Sequence, residues 1–176
     1  ITHAYLTQAG DTLRTHRVAV GLYNLQDGKV VRTDRIEMDI DGASTEIPEL
    51  IGRQLADIDF LLPNDDDLTY CLIELDAGSL QFLLDNIDKF VDPMARTLCW
   101  STAWEMTRAG TMRARDFIQL VARGMQAETE LAVLERIVLQ ASSALKNYAD
   151  PQWAAQSTLL ADALLDGAHS PDAQRS

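Results

Sequence analysis

Three consecutive carboxylates, Asp65 to Asp67 in the stretch "LPNDDDLTY", form the densest group of ionisable side chains in the chain. Such a group could bind a divalent cation or act as a general acid and base. An EF-hand loop needs alternating acidic positions, a glycine and a closing Glu, and this stretch has none of that spacing. Because Asn and Asp side chains bond nearby backbone N–H groups, we interpret the stretch as a turn or hairpin loop. Adventitious cation binding and catalysis stay open as alternatives.

The other residues that could do chemistry are scattered along the sequence. His3, His16 and His169 lie far from one another, and none belongs to an H-E-x-x-H motif or has a cysteine at metal-ligand spacing. The chain also has no G-x-S-x-G nucleophile elbow and no glycine-rich phosphate loop. We therefore assign no catalytic, cofactor-binding or metal-binding residue to this segment.

Two cysteines, Cys71 and Cys99, sit among apolar neighbours without the spacing of a disulfide framework. We expect both to be buried structural thiols, and this usage indicates a reducing compartment, hence a cytoplasmic protein. No apolar run approaches the ~18 residues that a membrane-spanning helix requires. We therefore expect no membrane association through a transmembrane segment.

Aromatic and basic side chains on the predicted helices allow two interpretations each. Trp100 and Trp104 are four residues apart and share one helix face, where they could form the floor of a ligand site or pack in the core. We favour core packing. Arg113, Arg115 and Arg123 could bind a carboxylate, but an exposed face of mixed charge is the interpretation we prefer.

The composition is that of a soluble globular protein with a strong acidic excess. The chain has 176 residues, of which 47% are hydrophobic and 24% charged, and its net charge is −12. This balance argues against nucleic-acid or anionic-membrane partners, which require clustered Lys and Arg. Most of the negative excess falls before residue 77, which is a first indication of a domain boundary near Asp76.

Residues 1–76 have the pattern of short antiparallel strands. The run at 29–40 alternates apolar and polar residues, and Asp27-Gly28 before it is a strong hairpin signal. Further strands are predicted at 4–8, 15–25, 44–47, 57–62 and 68–76. Because turn signals recur every 8–14 residues or so, we predict a small antiparallel β-sandwich over 1–76.

From residue 77 onward the period becomes helical. Helices are predicted at 78–87, 93–109, 113–124, 129–149 and 151–166, with Asp92-Pro93 and Asp150-Pro151 as start signals and Gly110 and Gly167 as stop signals. Short loops make successive helices antiparallel neighbours, so an all-α segment over 77–168, either a bundle or the start of a solenoid, follows the sandwich. Residues 169–176 are expected to be a flexible tail.

Two helical side-chain patterns give specific expectations. Phe117, Leu120, Val121 and Gly124 follow the i, i+3, i+4, i+7 spacing of a buried face. The next helix is predicted to bury a broad apolar stripe, which consists of Leu131, Leu134, Val138 and Leu145.

The run "NDDDLTYCLIELD" at 64–76 resembles the N-x-x-x-x-G-Y-Y-R-V-x-Y-D signature of the aminopeptidase N family of zinc aminopeptidases. Asn64, Tyr70 and Asp76 match in register, whereas Thr69, Cys71 and Leu72 replace the usual Gly, Tyr and Arg. The runs "PNDDDLTY" and "DPMARTLCWSTAWEMTRAGTMRARDFIQLVARGMQAETELAVL", and the upstream strands, are similar to the actinobacterial branch of that family. The resemblance covers nearly the whole chain.

This resemblance implies a non-catalytic role for the segment. In that family, the 64–76 segment closes a β-sandwich and leads into a C-terminal helical domain that encloses the peptide-binding cavity. The H-E-x-x-H zinc motif and the G-x-M-E-N loop are missing from this sequence, so both are expected N-terminal to Ile1. The implied partners are the catalytic domain of the same polypeptide and the peptides that the parent enzyme trims. Zinc is implied in the parent and no cofactor in this segment.

Three hypotheses follow from these observations. The first is a non-catalytic portion of an aminopeptidase N-like zinc exopeptidase. The second is a free-standing sandwich-plus-helix module that binds peptides or proteins. The third is an independent hydrolase that uses the acidic cluster. Under the first, the helical part lacks neighbours, so we expect an exposed apolar patch or a homodimer that hides it.

Overall fold

The structure is a computed structural model that describes residues 1–10, 12–158 and 161–162. The first half of this described chain contains five strands: β1 (Tyr5–Thr7), β2 (His16–Gln26), β3 (Lys29–Ile40), β4 (Ser44–Glu46) and β5 (Phe60–Pro63). β2 pairs with both β3 and β5 in an antiparallel three-stranded sheet, and β1 pairs with β4 in a separate antiparallel sheet. The second half is helical, as predicted.

The β2–β3 hairpin follows directly from its turn residues. Asp27 and Gly28 both have positive φ, at 50° and 78°, which is the conformation of a two-residue turn that matches the strand twist. β3 then alternates as the sequence predicts, burying Ile36 and Ile40 while Glu37 faces solvent. This part of the prediction is confirmed, including both ends of β3.

Two apolar clusters cover the two faces of the central strand β2. On one face, Val20 and Leu22 pack with Ile36, Ile47 and Leu50, against the β1–β4 side of the molecule. Tyr23 enters the second, larger cluster after a register shift between Leu22 and Tyr23. The antiparallel sheets of the prediction are confirmed, and the full sandwich arrangement stays a prediction.

The predicted last strand at 68–76 is wrong. The described strands end with β5, and residues 70–76 have no regular secondary structure. Burial alternates only from Leu72 to Leu75, because Ile73 and Leu75 pack on the main core while Leu72 and Glu74 are exposed. Cys71 would share the inward face of Ile73 and Leu75 in a strand, but it is exposed, and no described strand pairs with the segment.

Five helices follow within the described ranges: α1 (Ala77–Asn86), α2 (Pro93–Ala109), α3 (Ala114–Gly124), α4 (Leu131–Asn147) and α5 (Pro151–Gln156). The start signals act as predicted. The Asp92 side chain accepts a hydrogen bond from the Met94 N–H, and the Asp150 side chain accepts from two N–H groups of α5. Gly110 ends α2 with φ of 80°, which favours glycine.

α5 is shorter than predicted. It ends at Gln156, and Ser157 is extended, so the predicted helix over 151–166 is wrong in its continuity. Ser157 and Thr158 have low helix propensity, which makes a break there physically reasonable. Gly167, His169 and the predicted tail at 169–176 lie outside the described residues.

The apolar face of α4 also differs from the prediction. The buried positions are Ile137, Ala141 and Ala144, whereas Leu131 is exposed and the rest of the predicted stripe is only half-buried. α4 packs mainly on α3, and small side chains at a helix contact permit a shorter interaxial distance than leucines do. The Phe117-to-Gly124 face of α3 is fully buried, as predicted.

The main core extends across the predicted boundary at residue 76. Sheet residues Tyr23, Val30, Phe60 and Leu62 belong to the same buried cluster as the apolar faces of α1 to α4. Phe60 and Phe90 meet edge to face, with ring centroids 5.3 Å apart. The sheet and the helices therefore share one continuous core, and the domain boundary itself stays a prediction.

Candidate functional site

The acidic stretch forms a tight turn of 3-10 type at Asp65–Asp67, directly after β5. Three of its non-glycine residues have positive φ, namely Asn64 at 55°, Asp66 at 64° and Asp67 at 54°. Asn64 stabilises this geometry through both ends of its amide: Nδ2 donates to the Thr69 carbonyl at 2.8 Å, and Oδ1 accepts from the Thr69 N–H at 3.1 Å. The predicted turn is confirmed.

Asp65 points from this turn into the protein and is the buried centre of a polar cluster. Its side chain is 1% exposed and accepts hydrogen bonds from the Tyr23 hydroxyl and from Arg32, both at 2.7 Å. Burial and the bond to Asp65 raise the pKa of Tyr23, so the phenol stays a donor. β2 makes room with Gly21, where an added Cβ would lie 2.5 Å from the Asp65 carboxylate.

The outer carboxylate of the turn pairs with the same strand. Asp66 forms ion pairs with Arg32 at 2.9 Å and with Arg35 at 2.8 Å. The carboxylates thus face guanidinium groups of β3, which supply the positive charge that a bound cation would otherwise bring. The arrangement ties the turn to the sheet and offers the three aspartates no shared direction for a metal ion or substrate.

A second buried carboxylate, Glu128, lies just before α4. Its side chain is 1% exposed and pairs with Arg96 of α2, whose side chain is 7% exposed, at 3.1 Å. Glu128 also accepts from the Trp100 indole N–H at 3.1 Å. Burial favours protonation, but hydrogen bonds from Arg96, the Glu130 N–H and Trp100 outweigh it and hold the pKa of Glu128 below its usual range. Glu128 therefore links the segment that precedes α4 to helix α2.

Sequence reasoning missed both buried carboxylates as structural centres. One signal was available: Arg96 lies four residues before Trp100, so the two side chains share the face of α2 on which core packing is favoured. A charge at a core-facing position requires a partner of opposite charge. Nothing comparable marks Asp65, which differs from its two neighbours only in the direction that the turn gives it.

The histidines and cysteines within the described residues are not brought together. His3 is exposed and stacks on Tyr5, and the His16 Nδ1 atom lies 2.8 Å from the Thr69 hydroxyl. Cys99 is buried, as expected, and burial raises the pKa of its thiol. Cys71 is exposed, so that prediction is wrong, because the segment around it has no covering neighbour.

Trp100 and Trp104 pack in the core, as favoured. Trp100 is fully buried against Gly124, where an added Cβ would lie 2.7 Å from the indole ring. Trp104 is partly buried and contacts Phe117 and Tyr148, with ring centroids 5.4 Å and 6.1 Å away. Neither indole forms the floor of an open ligand site.

The three arginines line two shallow clefts on the helical part. A cleft of about 620 Å³ between α1 and α3 is bordered by Arg113 and Arg123, and one of about 810 Å³ beside α5 is bordered by Arg113 and Arg115. Arg113, the residue directly before α3, pairs with Asp116 of that helix at 2.7 Å, and Arg123 lies near the Asp85 carbonyl. These contacts form the exposed face of mixed charge that the sequence favoured.

The donor set for a metal ion is missing from the part of the chain that the structure describes. Within residues 1–10, 12–158 and 161–162, no three His, Cys, Asp or Glu side chains are close enough to hold one. The described residues therefore do not fit the zinc that the family resemblance implies for the parent. In the same ranges, no helix combines the length and apolar character that crossing a bilayer requires.

Comparison with known proteins gives two agreeing results. The family model described as "ERAP1-like C-terminal domain" matches residues 60–173, well over half of the chain. The chain belongs to the ERAP1-like C-terminal domain family. It is also 40% identical over 141 residues to a protein named "Aminopeptidase N" from Streptomyces lividans. The resemblance to the aminopeptidase N family is thereby confirmed.

The match to the Streptomyces lividans protein covers most of this member of the ERAP1-like C-terminal domain family but only a small part of the relative. The aligned region covers 80% of this chain but 16% of the Streptomyces lividans protein. The matched family region begins at Phe60, the first residue of β5, and so includes the acidic turn and helices α1 to α5. The structural features described above therefore lie mostly within the family's region.

Proposed function

We propose that this chain is a non-catalytic portion of an aminopeptidase N-like zinc metallopeptidase that removes N-terminal amino acids from peptides. The observation that carries the proposal is the family match over residues 60–173 together with 40% identity to an aminopeptidase N. In this role the sheet region acts as a spacer and the helices form part of the domain that encloses the peptide cavity. The catalytic domain of the same polypeptide and its peptide substrates are the partners.

The chemistry of such a parent would come from residues outside this chain. Zinc would activate a water molecule for attack on the peptide carbonyl. The described residues supply no ligand set for that ion, and the sequence has no H-E-x-x-H motif. Asp65 and Glu128, the deeply buried carboxylates, are already paired with arginines and cannot serve as a free base.

The helical surface supports a role as part of a larger helical domain. α4 leaves Leu131 and Leu139 exposed, on a helix whose opposite side packs on α3. Further helices of the same polypeptide would cover these side chains. A homodimer through this face, or a free-standing module that binds a protein partner there, would cover these side chains equally well. The molecular mass in solution distinguishes a monomer from a homodimer and from a complex with another protein.

The experiment compares residues 1–176 with the complete polypeptide encoded by the same gene. We expect the complete polypeptide to hold one zinc ion per chain and to hydrolyse aminoacyl anilides, and residues 1–176 to do neither. Turnover by residues 1–176 that disappears in Asp65→Ala or Asp66→Ala would instead favour the independent hydrolase. A complete polypeptide without zinc or aminopeptidase activity would contradict the proposal.

The compartment is part of the same proposal. Both cysteines are free thiols, and Cys71 is exposed to solvent, which suits a reducing cytoplasm. Fractionation of cells, with an antibody against residues 1–176, would test this directly. Recovery of the protein outside the cell, or with Cys71 oxidised, would count against it.

A further inference from the structure

Phe90 and Val91, in the connection between α1 and α2, reach back to the sheet, and we call these two residues the clasp. The Val91 N–H donates to the Val30 carbonyl at 3.2 Å, and Phe90 forms an isolated parallel bridge with Val30. Val30 belongs to β3, and the clasp lies along the edge of β3 that does not pair with β2. Main chain from the helical half thereby extends the sheet across the predicted boundary at residue 76.

Phe90 also contacts both of the buried ionic clusters. Its ring is 2% exposed and packs on Tyr23, with ring centroids 5.8 Å apart. Its carbonyl accepts a hydrogen bond from Arg96 at 2.8 Å, and Arg96 also pairs with Glu128. Because Tyr23 donates to Asp65, contacts continue without a gap from one buried carboxylate to the other.

Two further contacts cross the predicted boundary. The Leu61 N–H of β5 donates to the Ser79 hydroxyl of α1 at 3.3 Å, and that hydroxyl donates in turn to Asp76. The acidic turn packs on α2, where burial and the nearby charge of Asp65 both raise the pKa of the Cys99 thiol. Bending at residue 76 would break these contacts and expose apolar surface that the two halves now bury together.

We propose that the clasp joins the sheet of β2, β3 and β5 to helices α1, α2 and α3 as one rigid, cooperatively unfolding unit, so that the predicted boundary at residue 76 is not a hinge. A rotation there would leave the main-chain groups of Val30 and Val91 without partners beside a buried core, which folded proteins avoid. This rigidity is a property of the described chain and does not depend on the proposed function. Where that function also holds, the spacer and these helices move as one body.

The test is native-state hydrogen exchange, measured by mass spectrometry on peptides of the complete polypeptide encoded by the same gene. Tyr23→Phe removes a hydrogen bond on the sheet side, and Glu128→Gln weakens an ion pair on the helical side. Amides that exchange only when a cooperative unit opens all accelerate by one factor when that unit is destabilised. We therefore expect each variant to speed exchange in β2 and in α2 equally, by roughly 10-fold.

Matched surface variants provide the controls. Tyr5→Phe removes an exposed tyrosine hydroxyl and Glu130→Gln an exposed charge, so both should leave exchange in β2 and α2 within about 2-fold of the wild type. Acceleration of β2 alone by Tyr23→Phe, and of α2 alone by Glu128→Gln, would overturn the inference, because it would reveal two units that open separately.

The clasp itself is tested by Phe90→Leu, with Val91→Ala as the neighbouring control. Leucine stays apolar but loses the aromatic contacts to the sheet, so exchange in β2 should accelerate as much as exchange in α2, again by roughly 10-fold. Val91 is 54% exposed and keeps its N–H as alanine, so Val91→Ala should resemble the wild type. Acceleration confined to α1 and α2, or equal behaviour of the two variants, would show that the clasp does not hold the unit together. If Phe90→Leu fails to fold, Tyr23→Phe and Glu128→Gln decide the inference.

Discussion

Asp65 and Glu128, the deeply buried carboxylates, have nearly equal burial but partners of different kinds. Asp65 holds Arg32, whose side chain is 34% exposed and also reaches Asp66. Glu128 holds Arg96, whose side chain is 7% exposed and whose other bond goes to the Phe90 carbonyl. Because the two carboxylates are equally buried, we expect the environment of the paired arginine to decide how much stability depends on each ion pair.

The largest expected effect is at Glu128. Glu128→Ala leaves Arg96 buried without a counter-charge, so the free energy of unfolding should fall by about 3–5 kcal/mol. Urea denaturation followed by circular dichroism measures this. Glu130→Ala, an exposed carboxylate two residues away, is the matched control and should change stability by less than about 0.5 kcal/mol. Equal losses in the two variants would contradict the role of the buried pair.

Asp65→Ala should cost less, by about 1–3 kcal/mol, which is the range for a buried hydrogen-bond partner that is lost. Tyr23 loses its acceptor, but Arg32 keeps Asp66 and access to water. The same denaturation experiment gives the value. Asp67→Asn is the control on the exposed side of the turn, since Asn tolerates the positive φ at that position. A loss larger than that of Glu128→Ala would reverse the comparison.

A glycine packs against each of the two clusters around Asp65 and Glu128, so a larger side chain can be introduced there without removing a charge. Gly124→Ala places a Cβ 2.7 Å from Trp100, and Gly21→Ala places one 2.5 Å from Asp65. Overpacking of this kind costs about 1–3 kcal/mol. Gly78→Ala is a milder control, because its added Cβ meets only the Asp76 carboxylate at 3.1 Å. Thermal melts in which all three variants match the wild type would show that neither cluster is tightly packed.

The smallest expected effect is the dependence of stability on pH. Because the folded-state pKa of Glu128 is depressed, its stabilisation is complete above the unfolded-state value of about 4.3 and is lost as pH falls through the folded-state pKa. Glu128→Gln should therefore lose less stability than the wild type on acidification from pH 5 to pH 3. Denaturation series at several pH values measure this, with Glu130→Gln as the charge-matched control. Parallel curves for wild type and Glu128→Gln would refute the linkage.

β3 and the segment at 70–76 have similar sequence patterns but different pairing. Both segments alternate in the sequence, but β3 buries Ile36 and Ile40 in register, whereas at 70–76 Ile73 and Leu75 face the core and Cys71 does not. β3 has a covalently adjacent partner across the Asp27-Gly28 turn, so its pairing could be predicted. No described strand pairs with the segment at 70–76, and an alternating pattern does not by itself specify a partner.

Local chemistry was sufficient for the features that could be predicted from the sequence alone. The hairpin, the Asp92 and Asp150 caps, the Gly110 stop and the buried face of α3 all depend on residues within a few positions of one another. The acidic turn belongs to the same class, because Asn and Asp side chains bond neighbouring backbone groups. The family resemblance added the setting of these elements, namely an aminopeptidase N, without any site residue in this chain.

Long-range contacts, in contrast, became visible only in the folded chain. Tyr23 and Asp65 are 42 residues apart, and Arg96 and Glu128 are 32 apart, so no local pattern joins them. The same holds for α4, where packing selected the alanines over the leucines. Burial energy depends on which surfaces meet in space, and a residue's own sequence neighbours do not contain that information.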